Sequence, residues 1–320
     1  MIKNPIRLVG LGLGAIFLVW SISLTDWDIF AYAIASITPE WVALGAASLL
    51  LSMLLRSLRW HLLTGLPYRD WSNVWEATCI GYLGTAIYPA RAGDVMRMIR
   101  LQQLTGLGGG LAMGSGVMDR IVEGLGLGCL LVILLLAWDL KLEAQQGLWA
   151  IVLLFAVAAI LAAAFIAKGD WLRNPFQRLS HLGNWGVRLH RWYEESLSGL
   201  QVLRSPKRLL LTFAIQSAVS ALDILGCWLL AKSFGWSLPI SGAVVVLVYV
   251  AAAACLPASP GYVGMYQVAA IFALKRYGID ESSSVAYGTL LQVLTLFLFV
   301  GSGLWAVAKQ RLRDRAKKTS

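Results

Sequence analysis

Charge is scarce in this 320-residue chain: 14% of residues are Asp, Glu, Lys or Arg, against 58% hydrophobic. A soluble domain of this length cannot bury that much apolar surface, which excludes a water-soluble fold and makes the bilayer the solvent. Cysteine is scarce too. Cys79, Cys129, Cys227 and Cys255 lie in apolar runs without CxxC spacing. They read as small buried hydrophobes, with neither a disulfide framework nor a metal site. The histidines are His61, His181 and His190, none in the middle of a candidate span. HExxH and Walker A patterns are missing, and Ser115 has no histidine obviously available to activate it. Zinc proteolysis, ATP hydrolysis and serine intramembrane proteolysis are therefore disfavoured, no cofactor is implied, and the chain does not read as an enzyme. No small-residue cleavage site precedes Asp26 and Asp28, so the first apolar stretch is expected to be a retained helix.

What is abundant is apolar length. Runs near residues 6–24, 40–62, 107–137, 147–167, 207–232 and 283–308 can each cross a hydrocarbon core of about 30 Å at about 1.5 Å per residue. Two further stretches, 72–105 and 238–276, are broken near their middles by proline and glycine. The net charge of +10 gathers between apolar runs, as in cytoplasmic loops, and points to topology and not to nucleic acid. Lys3 and Arg7 place the N-terminus in the cytoplasm, Asp26 and Asp28 face outward, and Arg56, Arg59 and Arg69 bring the chain back inside. If 72–90 crossed outward, Arg91, Arg97 and Arg100 would lie on the wrong side; a re-entrant hairpin removes that conflict. Residues 170–206 interleave arginines with tryptophans, which suits helices lying on an anionic membrane surface.

The expectation is a single all-α integral membrane domain over 1–320, with about six full spans and two opposed re-entrant helical hairpins. Residues 1–140 and 145–308 form inverted repeats, followed by a basic cytoplasmic tail, 309–320, disordered at its end. The hairpin turns share a pattern: Pro89-Ala90-x-x-Gly93-x-Val95 recurs as Pro257-Ala258-x-x-Gly261-x-Val263, an offset of 257 − 89 = 168. Inverted repeats with broken helices are a transporter architecture, with the substrate near the breaks. Pro89, Gly93, Pro257, Pro260, Gly261 and Gly264 are the candidate hinges or gates.

The charges that interrupt the apolar runs are the candidate chemistry. A charge at membrane depth costs roughly 2.5–3.5 kcal/mol on insertion scales, so it needs a partner or a function. Arg91, Asp94 and Arg97 follow each other at i, i+3, and a helix starting after Gly93 puts them on one face beside free N–H groups. Two guanidiniums oriented by Asp94 suit a phosphate; arginines that merely snorkel are the blander reading. Asp119, Arg120 and Glu123 lie inside the third span, either as a structural ion-pair cluster or as a coupling group. In the second half the corresponding features are Ser259 and Gln267, and Asp223 is a lone acid, either a partner for an arginine or a proton site.

With these motifs laid out, the chain resembles the lysylphosphatidylglycerol synthase transmembrane, flippase-like family. The matching segments are LRSLRW (Leu55–Trp60), PARAGDVMR (Pro89–Arg97), DRIVE (Asp119–Glu123) and PASPGYVGMYQ (Pro257–Gln267). Gln267 stands where family members often carry an acid, and Asp94 and Asp119 where Glu is frequent. The resemblance implies lipid translocation by a stand-alone member without the aminoacyl-transferase domain, in a bacterial inner membrane with both termini cytoplasmic. A membrane lipid with an anionic headgroup is the implied substrate, and a homo-oligomer is compatible with it. A secondary transporter of a small solute and a membrane accessory protein are the competing expectations.

Overall fold

The computed structural model describes residues 5–88, 92–138, 205–255 and 259–319, together with isolated helical positions at 149, 153, 154, 156, 157 and 160. Among the described residues there are ten α-helices and no strand. They are α1 (Pro5–Ser23), α2 (Trp27–Ala35), α3 (Pro39–Thr64), α4 (Trp71–Ile87), α5 (Ala92–Thr105), α6 (Gly109–Trp138), α7 (Pro206–Ser233), α8 (Ile240–Cys255), α9 (Met265–Leu274) and α10 (Glu281–Thr319). Helices α3, α7 and α10 are long and apolar enough to cross a membrane, and α1 with α2 makes a fourth candidate if the bent pair is one span. The fold is inside-out relative to a soluble protein. Leu210 and Phe297 are more than 70% exposed, while Arg59, Glu76 and Asp119 are at most 2% exposed. Apolar surface outward and charge inward is the arrangement a hydrocarbon solvent selects.

The first apolar run does not continue straight. A 94° bend separates α1 from α2, because the Asp26 side chain accepts from the Asp28 and Ile29 amides and caps a new helix. That short helix was not foreseen in the sequence. Two other expectations need correction. Arg56 and Arg59, read as cytoplasmic charges that orient the chain, lie within α3, and Arg59 is fully enclosed. The basic tail is not disordered, since α10 runs helically through Thr319. Cys129 is exposed on α6, whereas Cys79 and Cys227 are buried as expected. The span 147–167, apart from those isolated positions, and the basic segment 170–204 lie outside the described residues.

Helices α3 and α7 form the central pair and run antiparallel. Gly45 of α3 faces Leu230 of α7, and Gly226 of α7 faces Leu49 of α3. Small residues let the two backbones approach closely, which is how helices associate when lipid removes the hydrophobic drive. Pairs α4–α5 and α8–α9 each fold back on themselves about the breaks at 88–91 and 256–264. The helix contacts are symmetric. Exchanging α3, α4, α5 and α6 with α7, α8, α9 and α10 converts each principal contact among these eight helices into another that is present.

Gly93 shows why the first break needs glycine. It sits in the first turn of α5 against α4, where an added Cβ would lie 2.0 Å from the Gly81 carbonyl oxygen and 2.6 Å from the Thr85 nitrogen. Both obstacles are backbone or near it, so the helices must separate. Gly93→Ala is expected to lower stability by about 3 kcal/mol, at the upper end of overpacking costs. Thermal unfolding in detergent checks this, with Gly301→Ala on α10, where a Cβ meets nothing within 4 Å, as the silent control.

Candidate functional site

Four arginines and four carboxylates meet at the junction of α3, α5, α6 and α7. Asp119 is the inner node. Its Oδ1 accepts from Arg59 at 2.8 Å, and its Oδ2 accepts two N–H groups of Arg97, both at 3.0 Å. Arg59 also donates to Gln216 of α7. The Arg97 guanidinium lies 4.5 Å from the centre of the Trp60 ring, whose indole N–H donates to Ser115. Stacked, doubly hydrogen-bonded and about 6% exposed, Arg97 is locked in place.

The outer tier is more open. Arg56 donates to Glu123 and, at 2.6 Å, to Asp223, which also accepts from the Ser52 hydroxyl. Arg120 donates to Asp94 and to Glu123. Charges are balanced across the eight groups, four of each sign. Helical spacing explains the two tiers: Arg56 and Arg59, like Asp119 and Glu123, are one turn apart on a shared face.

The outer tier floors a cavity of about 200 Å³. Arg56, Asp94, Arg120, Glu123 and Asp223 supply its charged side; Tyr82, Tyr262, Tyr266 and Phe299 supply aromatic walls. Tyr82 and Phe299 stack with ring centres 4.5 Å apart, joining α4 to α10. Tyr262 has a φ of 58°, the one non-glycine residue among those described in the left-handed region. A bulky side chain held there is strained, and such strain gathers at functional positions.

The expected site residues divide by this geometry. Asp94, Arg120 and Glu123 line the cavity; Arg97 and Asp119 stand behind it as supports. Ser259 and Gln267 hold the second break. The Ser259 hydroxyl donates to the Val263 carbonyl, and Gln267 donates to Gln292, whose own amide donates to the Gly261 carbonyl at 2.7 Å. Gly261 and Gly264 take left-handed conformations that a turn of this tightness demands, and Pro260 opens the 3-10 turn Pro260–Tyr262. Arg91, Pro89 and Pro257 lie outside the described residues.

Three residues, Arg56, Arg59 and Glu76, were not singled out as site residues in the sequence. Arg56 and Arg59 were read only as charges that orient the second helix, although their i, i+3 spacing inside an apolar run marks a buried face. Asp223, read as a lone acid that partners an arginine or carries a proton, pairs with Arg56. Glu76, fully buried on α4, was not singled out. Among the described residues, no group of three His, Cys, Asp or Glu side chains could hold a metal ion.

An apolar-faced helical bundle around an internal charged cavity defines a multi-pass membrane protein. The model of the lysylphosphatidylglycerol synthase TM region matches residues 7–303, nearly the whole chain, and the protein belongs to that family. Membership ties it to membrane-lipid handling. No curated protein and no solved structure matches the chain.

Proposed function

We propose that this protein is a lipid translocase, not an enzyme, which passes the phosphate-bearing headgroup of a membrane lipid through the central cavity while the acyl chains stay in the bilayer. The observation that carries this reading is the cavity itself. At about 200 Å³ it is smaller than the roughly 300–1,000 Å³ pockets that enclose whole drug-sized ligands, so it suits a headgroup and not acyl chains. Its charges are of the kind that grip phosphate, and Leu49, Met53, Leu247 and Val250 add apolar lining.

Arg56 and Arg120 are the groups that take the phosphate, each exchanging a carboxylate partner for a phosphate oxygen. The resting network is neutral, so one entering phosphodiester adds a negative charge. A proton taken up by a released carboxylate, Asp94 or Glu123, restores the balance and couples binding to movement. Asp119 holds the inner tier fixed meanwhile. The symmetric helix contacts support two repeats of opposite orientation, the breaks near Gly93 and Gly261 acting as hinges between inward- and outward-open forms. The two folded-back pairs would then enter the bilayer from opposite sides, with both termini cytoplasmic in a bacterial inner membrane.

The test is translocation of acyl-labelled phosphatidylglycerol in proteoliposomes, wild type beside Arg120→Gln. The wild type is expected to move the lipid, and the variant to slow it at least tenfold, about 1.4 kcal/mol in the barrier. An equal rate in a well-folded variant would remove Arg120 from the headgroup path. Flux of a small solute without lipid movement would favour a secondary transporter.

A further inference from the structure

A second charged cluster lies away from the cavity, where α4, α5 and α10 converge. Glu76, with a side chain 0% exposed, accepts from Arg100 of α5 at 2.7 Å and from Arg313 of α10 at 2.7 Å, with the Lys309 ammonium 3.4 Å away. Three cations surround one carboxylate, an excess of two positive charges at a partly enclosed place. The Arg100 Nε is buried and has no hydrogen-bond partner. Lys309 and Arg313 are about one-third exposed, so the cluster opens to one side. Just before it on α10, Trp305 is 45% exposed and lies 5.1 Å beneath the Lys309 ammonium. An exposed tryptophan followed by basic residues marks the depth of lipid headgroups. Beyond it the helix carries six cations and a single acid, Asp314, between Lys309 and Thr319.

We infer that Arg100, Lys309 and Arg313 form a docking site for the headgroup of an anionic phospholipid, separate from the translocation cavity. The phosphate completes a cluster that Glu76 alone leaves short of negative charge, and Trp305 sets the depth of the headgroup. Its position gives the site a consequence. The same α4–α10 contact that Glu76 ties down carries the Tyr82–Phe299 stack in the cavity wall. A bound anionic lipid therefore braces that wall, and membrane composition tunes the cavity.

Photo-crosslinking tests this in lipid nanodiscs, with a headgroup-proximal reactive phosphatidylglycerol beside the matching phosphatidylcholine, and peptide mapping as the readout. In the wild type, residues 300–316 and 71–80 are labelled preferentially by the anionic probe. Lys309→Gln/Arg313→Gln reduces that preference about 30-fold, roughly fivefold for each cation lost near the surface. Glu76→Gln shifts it the other way, because it removes the competing anion and keeps the three cations. Equal labelling by the two probes in the wild type, or an unchanged preference in the double variant, overturns the proposal. So does complete displacement by inorganic phosphate, which would make this a soluble-anion site. Arg120→Gln, the cavity variant, leaves Glu123 with Arg56 and Asp94 with Arg97 and keeps this labelling intact, so failure of the cavity reading would not imitate failure here.

Discussion

Asp119→Ala is expected to abolish recovery of folded protein. The carboxylate is 2% exposed and is the main anionic partner of two buried guanidiniums, Arg59 at 2.8 Å and Arg97 at 3.0 Å. Its removal leaves Arg59 with the neutral Gln216 and Arg97 with Asp94 at 3.5 Å. Stranding a buried charge costs about 3–5 kcal/mol, and here Arg59 is stranded while Arg97 keeps only the longer contact to Asp94, against a total stability of about 5–15 kcal/mol for a typical domain. Size-exclusion chromatography and thermal unfolding in mild detergent measure the effect. Asp119→Asn keeps the shape without the charge and is expected to fall between the two. A variant unfolding within about 2 °C of the wild type would mean that the inner tier is solvated and that Arg97 is available to ligand.

The second large effect separates structure from function at Arg56. Arg56→Leu strands Asp223, which is 7% exposed and keeps only the Ser52 hydroxyl, whereas Glu123 retains Arg120. That single change is expected to cost about 3–5 kcal/mol. Asp223→Leu is milder, because Arg56 still has Glu123. The double variant Arg56→Leu/Asp223→Leu replaces an ion pair by apolar packing, which is often neutral or stabilising by about 1–4 kcal/mol. Stability therefore returns while translocation stays at least 100-fold down, about 2.7 kcal/mol in the barrier. The coupling between the two positions is read from the full cycle. If the double variant moves lipid at the wild-type rate, the pair is a structural strut and the headgroup passes elsewhere.

Much of the chemistry was readable before any fold was known. Asp94, Asp119, Arg120 and Glu123 stood out because a charge inside an apolar run is expensive, and the structure brings all four into one network. The breaks at Pro89–Gly93 and Pro257–Gly264 were equally visible, since proline and glycine are the residues that interrupt a helix. Their environments were less so. Gly93 was read as a hinge from its sequence neighbours, and only the structure shows that it sits where α4 and α5 almost touch. Gln267 was read as a substrate-binding residue, and the structure adds that its amide ties the second break to α10. Arg97 was read as a phosphate-binding group, and in the structure its guanidinium meets Asp119 and Trp60.

Composition and periodicity commit this chain to helices in a bilayer, because those depend on local hydrogen bonding and on the cost of apolar surface in water. Which arginine meets which carboxylate does not depend on anything local. Arg56 and Asp223 are 167 residues apart, and Glu76 and Arg313 are 237 apart. Each guanidinium could satisfy its charge with any acid in reach, and only the packing of α3 on α7 and of α4 on α10 settles the choice. The same packing divides equivalent-looking charges between a locked inner tier and an open cavity floor.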